Sequence, residues 1–85
     1  MVIRLSKKAE KNYKKLPKTI RTKADKKLNL LLKNYRDPSL YTKKMSGKDL
    51  FEARIDIRYR ITFYEERNII YIINLGPHDE GLGKK

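Results

Sequence analysis

The chain contains no cysteine, so neither a disulfide nor a thiolate metal site can hold its fold, and a reducing compartment fits. It has a single histidine, His78, which leaves one imidazole for proton transfer near neutral pH. No window approaches the roughly 20 apolar residues of a membrane span, and the apolar part of MVIRLSKK is too short for a signal peptide. The expectation is a cytoplasmic protein with no membrane partner, no metal and no small-molecule cofactor. Acidic residues are also scarce, 10 against 22 lysines and arginines, for a formal charge of +12 over 85 residues. Such a surface attracts a polyanion, either nucleic acid or an acidic protein segment. The bland alternative is a generally basic surface with no specific ligand. The length predicts one domain that buries only roughly 60% of its unfolded surface, so a stabilising partner is no surprise.

The strongest pattern is Phe51 to Tyr64, FEARIDIRYRITFY. Phe51, Ala53, Ile55, Ile57, Tyr59, Ile61 and Phe63 fall on one parity, and Glu52, Arg54, Asp56, Arg58, Arg60 and Thr62 on the other. Period-two alternation predicts β-structure with one buried and one wet face. The stretch exceeds a usual strand, which predicts two strands with a tight turn near Asp56 to Arg58. Arginine on the wet face needs a reason, because its planar fork suits phosphate better than plain solvation requires.

Around this stretch, Val2, Ile3 and Leu5 read as one strand ending at an N-capping Ser6. Ala9, Tyr13 and Leu16 then share one face of a basic helix. Pro17 ends it and opens a second helix, whose stripe is Ile20, Ala24, Leu28, Leu31, Leu32 and Tyr35, with Leu30 off it. Residues 36–49 are rich in turn formers and lysine without a sustained period, which predicts a loop of functional length. In Ile69 to Leu75 both parities are apolar, as in a central strand, and Gly76 and Pro77 are expected to end it. The last residues are expected to be mobile. The order predicts an α+β domain: a strand, a helical hairpin, then an antiparallel three-strand meander, with the helices on one face of a small sheet.

LPK at the helix junction, KKMSGKDLFEARI entering the meander, RYRITFY and the apolar strand ending in LGPHD together resemble the RelE/ParE superfamily of toxins from toxin–antitoxin pairs. The resemblance spans nearly the whole chain and implies a small toxin held inactive by an antitoxin. In the RelE branch, favoured here, the toxin enters the ribosomal A site and cuts mRNA, so inhibiting translation; in the ParE branch it poisons DNA gyrase. It further implies that Arg54 matches a basic residue of the RelE-type second strand, that Arg60 matches the arginine of a YR motif, and that His78 stands where arginine or histidine is common. Glu52 stands where some members have lysine. Several RelE-like nucleases carry a C-terminal tyrosine that stacks on a base, and no aromatic residue follows Tyr71 here. Tyr41, Tyr59 or Tyr64 could substitute, or ribosomal bases could do the stacking.

The chemistry is consistent with that branch. RNA cleavage through the ribose 2′-hydroxyl needs a base, cations for the phosphorane-like transition state, and an acid for the leaving oxygen. Glu52 as base, Arg54 and Arg60 as phosphate clamp and His78 as acid make a complete set, with Arg58, Lys43, Lys44 and Lys48 as further RNA contacts. The bland readings are a cross-strand ion pair for Glu52 and an exposed loop position for His78. A noncatalytic nucleic-acid-binding module remains a third function. The partners expected are an acidic, partly disordered antitoxin segment, the ribosome and mRNA.

Overall fold

A computed structural model of the chain describes residues 2–45 and 49–77. In chain order the elements are β1 (Val2–Leu5), α1 (Lys7–Lys15), α2 (Lys18–Asn34), a 3-10 turn (Pro38–Leu40), β2 (Lys43–Lys44), β3 (Phe51–Arg54), β4 (Tyr59–Glu66) and β5 (Ile69–Pro77). The strands form one sheet in the order β1-β5-β4-β3-β2. β1 runs parallel to β5, and the other neighbours pair antiparallel. This is the expected α+β architecture, and the meander gains a strand on each side. No helix among the described residues is long and apolar enough to cross a membrane.

Ser6 ties the first strand, the first helix and the sheet together. Its Oγ accepts the N–H of Ala9 at 3.0 Å, which caps α1, and donates to the Ile73 carbonyl at 3.0 Å. Its own N–H donates to the Ile72 carbonyl at 2.9 Å. These contacts meet β5 where the register against β4 slips, Thr62 facing Asn74 but Phe63 facing Ile72. An extra residue there leaves ladder groups to satisfy elsewhere. Asn12 serves the same region, its side-chain oxygen accepting the Leu75 N–H at 3.1 Å.

Pro17 separates the helices as expected, standing in extended backbone at the N-cap of α2. The Tyr13 hydroxyl donates to Asp25 at 2.6 Å and so clasps α1 to α2. That bond, with burial and the Asp25 charge, raises the Tyr13 pKa above its ordinary value.

The helices cover one face of the sheet, where Ala24 and Leu31 of α2 and Ala9 of α1 pack with Ala53, Ile61, Phe63, Ile70, Ile72 and Leu75. The stripe of α2 differs from the expected one at two positions. Leu30 packs against the core, whereas Leu32 is 37% exposed. The β3–β4 turn rises along the Leu30 side, where Lys23 bridges to Asp56 at 3.7 Å, and Leu30 and Ile55 line one recess beneath it.

Residues 36–49, expected as a loop, contain both the 3-10 turn and β2. Local side-chain bonds explain the order. Asp37 accepts from the Ser39 N–H at 2.9 Å and hydroxyl at 2.7 Å, an arrangement that competes well with plain loop. These bonds, hydroxyl first, hold the Asp37 pKa below its ordinary value. Leu40 is fully buried, and Thr42 donates to the Tyr35 carbonyl at 2.8 Å.

The β3–β4 turn falls where the alternation places it. Burial of Asp56 alone would raise its pKa, but the N–H groups of Arg58 and Tyr59 and the nearby Lys23 outweigh it and leave the pKa below its ordinary value. Both N–H bonds are 2.9 Å long. Ile57, on the parity expected to be buried, sits at the tip of this turn and is 78% exposed. At the far end of β4, Arg67 and Asn68 both take positive φ, 53° and 69°, as a two-residue hairpin loop whose twist matches its strands requires. β5 continues through Gly76 to Pro77 rather than stopping before them.

Candidate nucleic-acid interface

Residues paired across strands share a face of a sheet, so the register sorts the face opposite the helices, uncovered among the described residues, into rows. Arg54, Arg60 and Gly76 form one row; Glu52, Thr62 and Asn74 form the next, with Lys43 beyond Glu52. Tyr64 and Tyr71 follow, with Arg4 of β1 beside Tyr71. Gly76, lacking a side chain, leaves room beside Arg60.

The first two rows open into a cleft of ≈ 480 Å³ lined by Tyr41, Thr42, Lys43, Glu52, Arg54 and Arg60. Tyr41 reaches it because buried Leu40 anchors the preceding residue and Tyr41 itself turns the chain with φ 50°. The Arg54 guanidinium lies over the Tyr41 ring, 4.4 Å from its centre, a cation–π contact. Arg54 Nε is buried there without a hydrogen-bond partner. A buried donor left open is costly, and a phosphate oxygen is the kind of acceptor that satisfies it.

Arg60 is occupied differently. Its Nη1 donates to the carbonyls of Asp56 at 2.6 Å, Ile57 at 3.1 Å and Tyr59 at 3.2 Å, closing the β3–β4 turn from the side. Its Nε lies 4.0 Å from a Glu52 carboxylate oxygen. Glu52 was expected on a wet face, but it is only 7% exposed and is the buried charged residue of the described chain. A carboxylate there is tolerable because cations surround it.

The structure therefore brings together Glu52, Arg54, Arg60 and Lys43. Lys44 pairs with Phe51 and so lies on the other parity from Lys43, 3.7 Å from the exposed Asp49. Arg58 stands exposed in the β3–β4 turn, outside the paired rows and so not on the wet strand face where the alternation put it. Lys48 and His78 lie outside the described residues; the last described one, Pro77, pairs with Tyr59 beside the Arg60–Gly76 row. Of the three tyrosines considered for stacking, Tyr59 packs against the core, whereas Tyr41 and Tyr64 reach the uncovered face. The sequence reading passed over Tyr71 and Arg4 on this face, and the Tyr41–Arg54 contact. The continuing parity from Thr62 to Tyr64 was the available signal for the aromatic row. Among the described residues no cluster of His, Cys, Asp and Glu could hold a metal ion.

A family model described as the ParE toxin of a type II toxin–antitoxin system, parDE, matches residues 3–82. No curated protein matches the chain. Among solved structures, YafQ from E. coli strain BL21(DE3) superposes with a TM-score of 0.80 at 16% identity, over 95% of this chain and 97% of that one. The toxin–antitoxin complex RelBE of E. coli gives 0.72 at 24% identity, over 89% and 94%. The YoeB–YefM complex of Staphylococcus aureus gives 0.76 at 21%, over 89% and 94%. At such identities the structural likeness speaks for the fold.

Proposed function

The chain belongs to the ParE toxin family of type II toxin–antitoxin systems, and from that premise we propose that it is a toxin whose cleft binds and cuts RNA, as a ribosome-dependent mRNA endonuclease. The observation that carries this reading is Arg54, held on Tyr41 with Nε buried and unsatisfied at the edge of a cleft that also exposes Lys43. That is a phosphate site with an aromatic wall, and it sits beside a carboxylate.

In this mechanism the ribose 2′-hydroxyl attacks the adjacent phosphorus while Glu52 takes its proton. The bond to the 5′-oxygen breaks, and His78 supplies the proton that this oxygen needs. The products are a 2′,3′-cyclic phosphate and a free 5′-hydroxyl. Arg54 neutralises the charge that builds on the phosphoryl oxygens. Arg60 is a positioning residue: with Nη1 spent on the turn carbonyls, it holds the turn and orients Glu52. Lys43 guides the RNA backbone.

The cognate partner is an antitoxin, as in the RelBE and YoeB–YefM complexes. Against a chain of charge +12, its toxin-covering segment is acidic and folds on binding. Cell-free translation with the purified protein, followed by mapping of mRNA ends, tests the reading. New ends within codons at the ribosomal A site, lost in Arg54→Ala and Glu52→Gln, support it. A second reading is favoured by the family model, which is that of ParE: a noncatalytic toxin that acts on DNA gyrase. It predicts intact mRNA together with trapped gyrase–DNA complexes.

A further inference from the structure

Beyond the cleft, the same face of the sheet carries a row that the cleavage chemistry does not use. Tyr64 and Tyr71 are register partners on β4 and β5, and their rings stack with centroids 4.9 Å apart and planes 23° apart. Arg4, exposed, pairs with Tyr71 from β1. Both rings stay partly exposed on the side of the sheet opposite α1 and α2, which no helix of the described residues covers. Tyr64 also borders a recess of ≈ 520 Å³ with Lys44, Leu50 and Phe51, whose further lining by Asp49, Glu65 and Glu66 turns a phosphate chain back toward Arg4 and the cleft. Glu66 faces Ile69 in the row beyond and ends the favourable track for a phosphate chain.

We propose that Tyr64 and Tyr71 form a base-stacking platform, flanked by Arg4, for single-stranded RNA whose scissile phosphate lies at Arg54. The inference rests on the RNA-cutting reading above and adds a binding subsite to it. Tyr64 and Arg60 are four residues apart on one strand, about 13 Å at the usual rise, within reach of a short single-stranded segment. Aromatic rings on an open sheet with cations alongside bind bases through their π-faces and so tolerate any sequence. Core packing gives no reason for tyrosine here, because the fully buried side chains lie on the opposite parity of β4 and on the helix-covered side of β5.

The test uses short oligouridylates carrying 5-iodouridine, irradiated with the full chain, with crosslinked residues located by mass spectrometry. Crosslinks at Tyr64 or Tyr71 are expected. In binding assays the double variant Tyr64→Leu/Tyr71→Leu should lose at least about fivefold in affinity, whereas Tyr64→Phe/Tyr71→Phe keeps it. Crosslinks found only elsewhere, or wild-type affinity in the leucine variant, overturn the platform. The crosslinks on the wild-type chain decide the matter even if the leucine variant fails to fold. If the wild type crosslinks at these tyrosines yet never cuts mRNA, the platform stands and the nuclease reading falls. If it cuts mRNA and the leucine variant binds and cuts equally well, the reverse holds.

Discussion

Arg54 and Arg60 share a row of the sheet, yet their replacement by alanine should have opposite consequences. Arg60 Nη1 donates to three backbone carbonyls at 2.6, 3.1 and 3.2 Å. A hydrogen bond from a charged donor contributes about 1.5–3 kcal/mol. Three acceptors sharing one amino group count as about one such bond at the upper part of that range, so Arg60→Ala should cost about 2–3 kcal/mol. For a domain of 60–100 residues that lowers Tm by roughly 8–24 °C, at roughly 4–8 °C per kcal/mol. Arg54 makes a cation–π contact to the 63% exposed Tyr41, worth about 0.5–1 kcal/mol at such a site, and its buried Nε lacks a partner. Arg54→Ala should therefore cost less than about 1 kcal/mol while weakening RNA binding severalfold. Urea unfolding followed by circular dichroism measures the first pair of effects, and fluorescence anisotropy with a labelled RNA the second. Equal losses of stability in the two variants, or a larger loss in Arg54→Ala, would refute the division of labour between a positioning and a phosphate-binding arginine.

Other positions give sharp contrasts. Leu31, fully buried, should cost about 2–5 kcal/mol on truncation to alanine, whereas the exposed Leu32 should stay within about 0.5 kcal/mol, as thermal melts would show. Ser6→Ala removes both the α1 cap and the bond to Ile73 and should cost about 1–2 kcal/mol in the same assay. Arg67→Gly relieves a non-glycine residue at φ 53° and should raise stability by up to about 1 kcal/mol. Asp56 has a depressed pKa in the folded state, so its stabilising contribution is present above the unfolded carboxylate pKa of about 3.9 and is lost as pH falls through the folded value. Asp56→Asn should lose stability at pH 7 and flatten the fall below about pH 4; an unchanged acid limb in urea titrations at several pH values would contradict this.

The alternation of residues 51–64 was enough to place the hairpin, its turn and the faces of Glu52, Arg54 and Arg60, because period two directly encodes side-chain direction. Three things escaped it. Ile57 kept the apolar parity but lies in the turn, where alternation no longer means burial. Glu52 is polar in pattern yet buried, because its cover comes from Arg60 and neighbouring strands that periodicity does not count. The segment from Asp37 to Lys43 read as loop, since its order rests on Asp37, Thr42 and one buried leucine and not on a repeat. That segment supplies Tyr41 and Lys43, and with them a wall of the cleft. The exchange of Leu30 for Leu32 on α2 shows the same limit, because the β3–β4 turn decides which side of the helix is covered.

The most direct test is mRNA end mapping in cell-free translation with the wild type and Arg54→Ala side by side. The account predicts A-site cuts bearing 2′,3′-cyclic phosphate and 5′-hydroxyl ends with the wild type, and strongly reduced cutting by a stably folded Arg54→Ala. Intact mRNA in the presence of folded wild-type protein, or cutting that Arg54→Ala leaves unchanged, would contradict it.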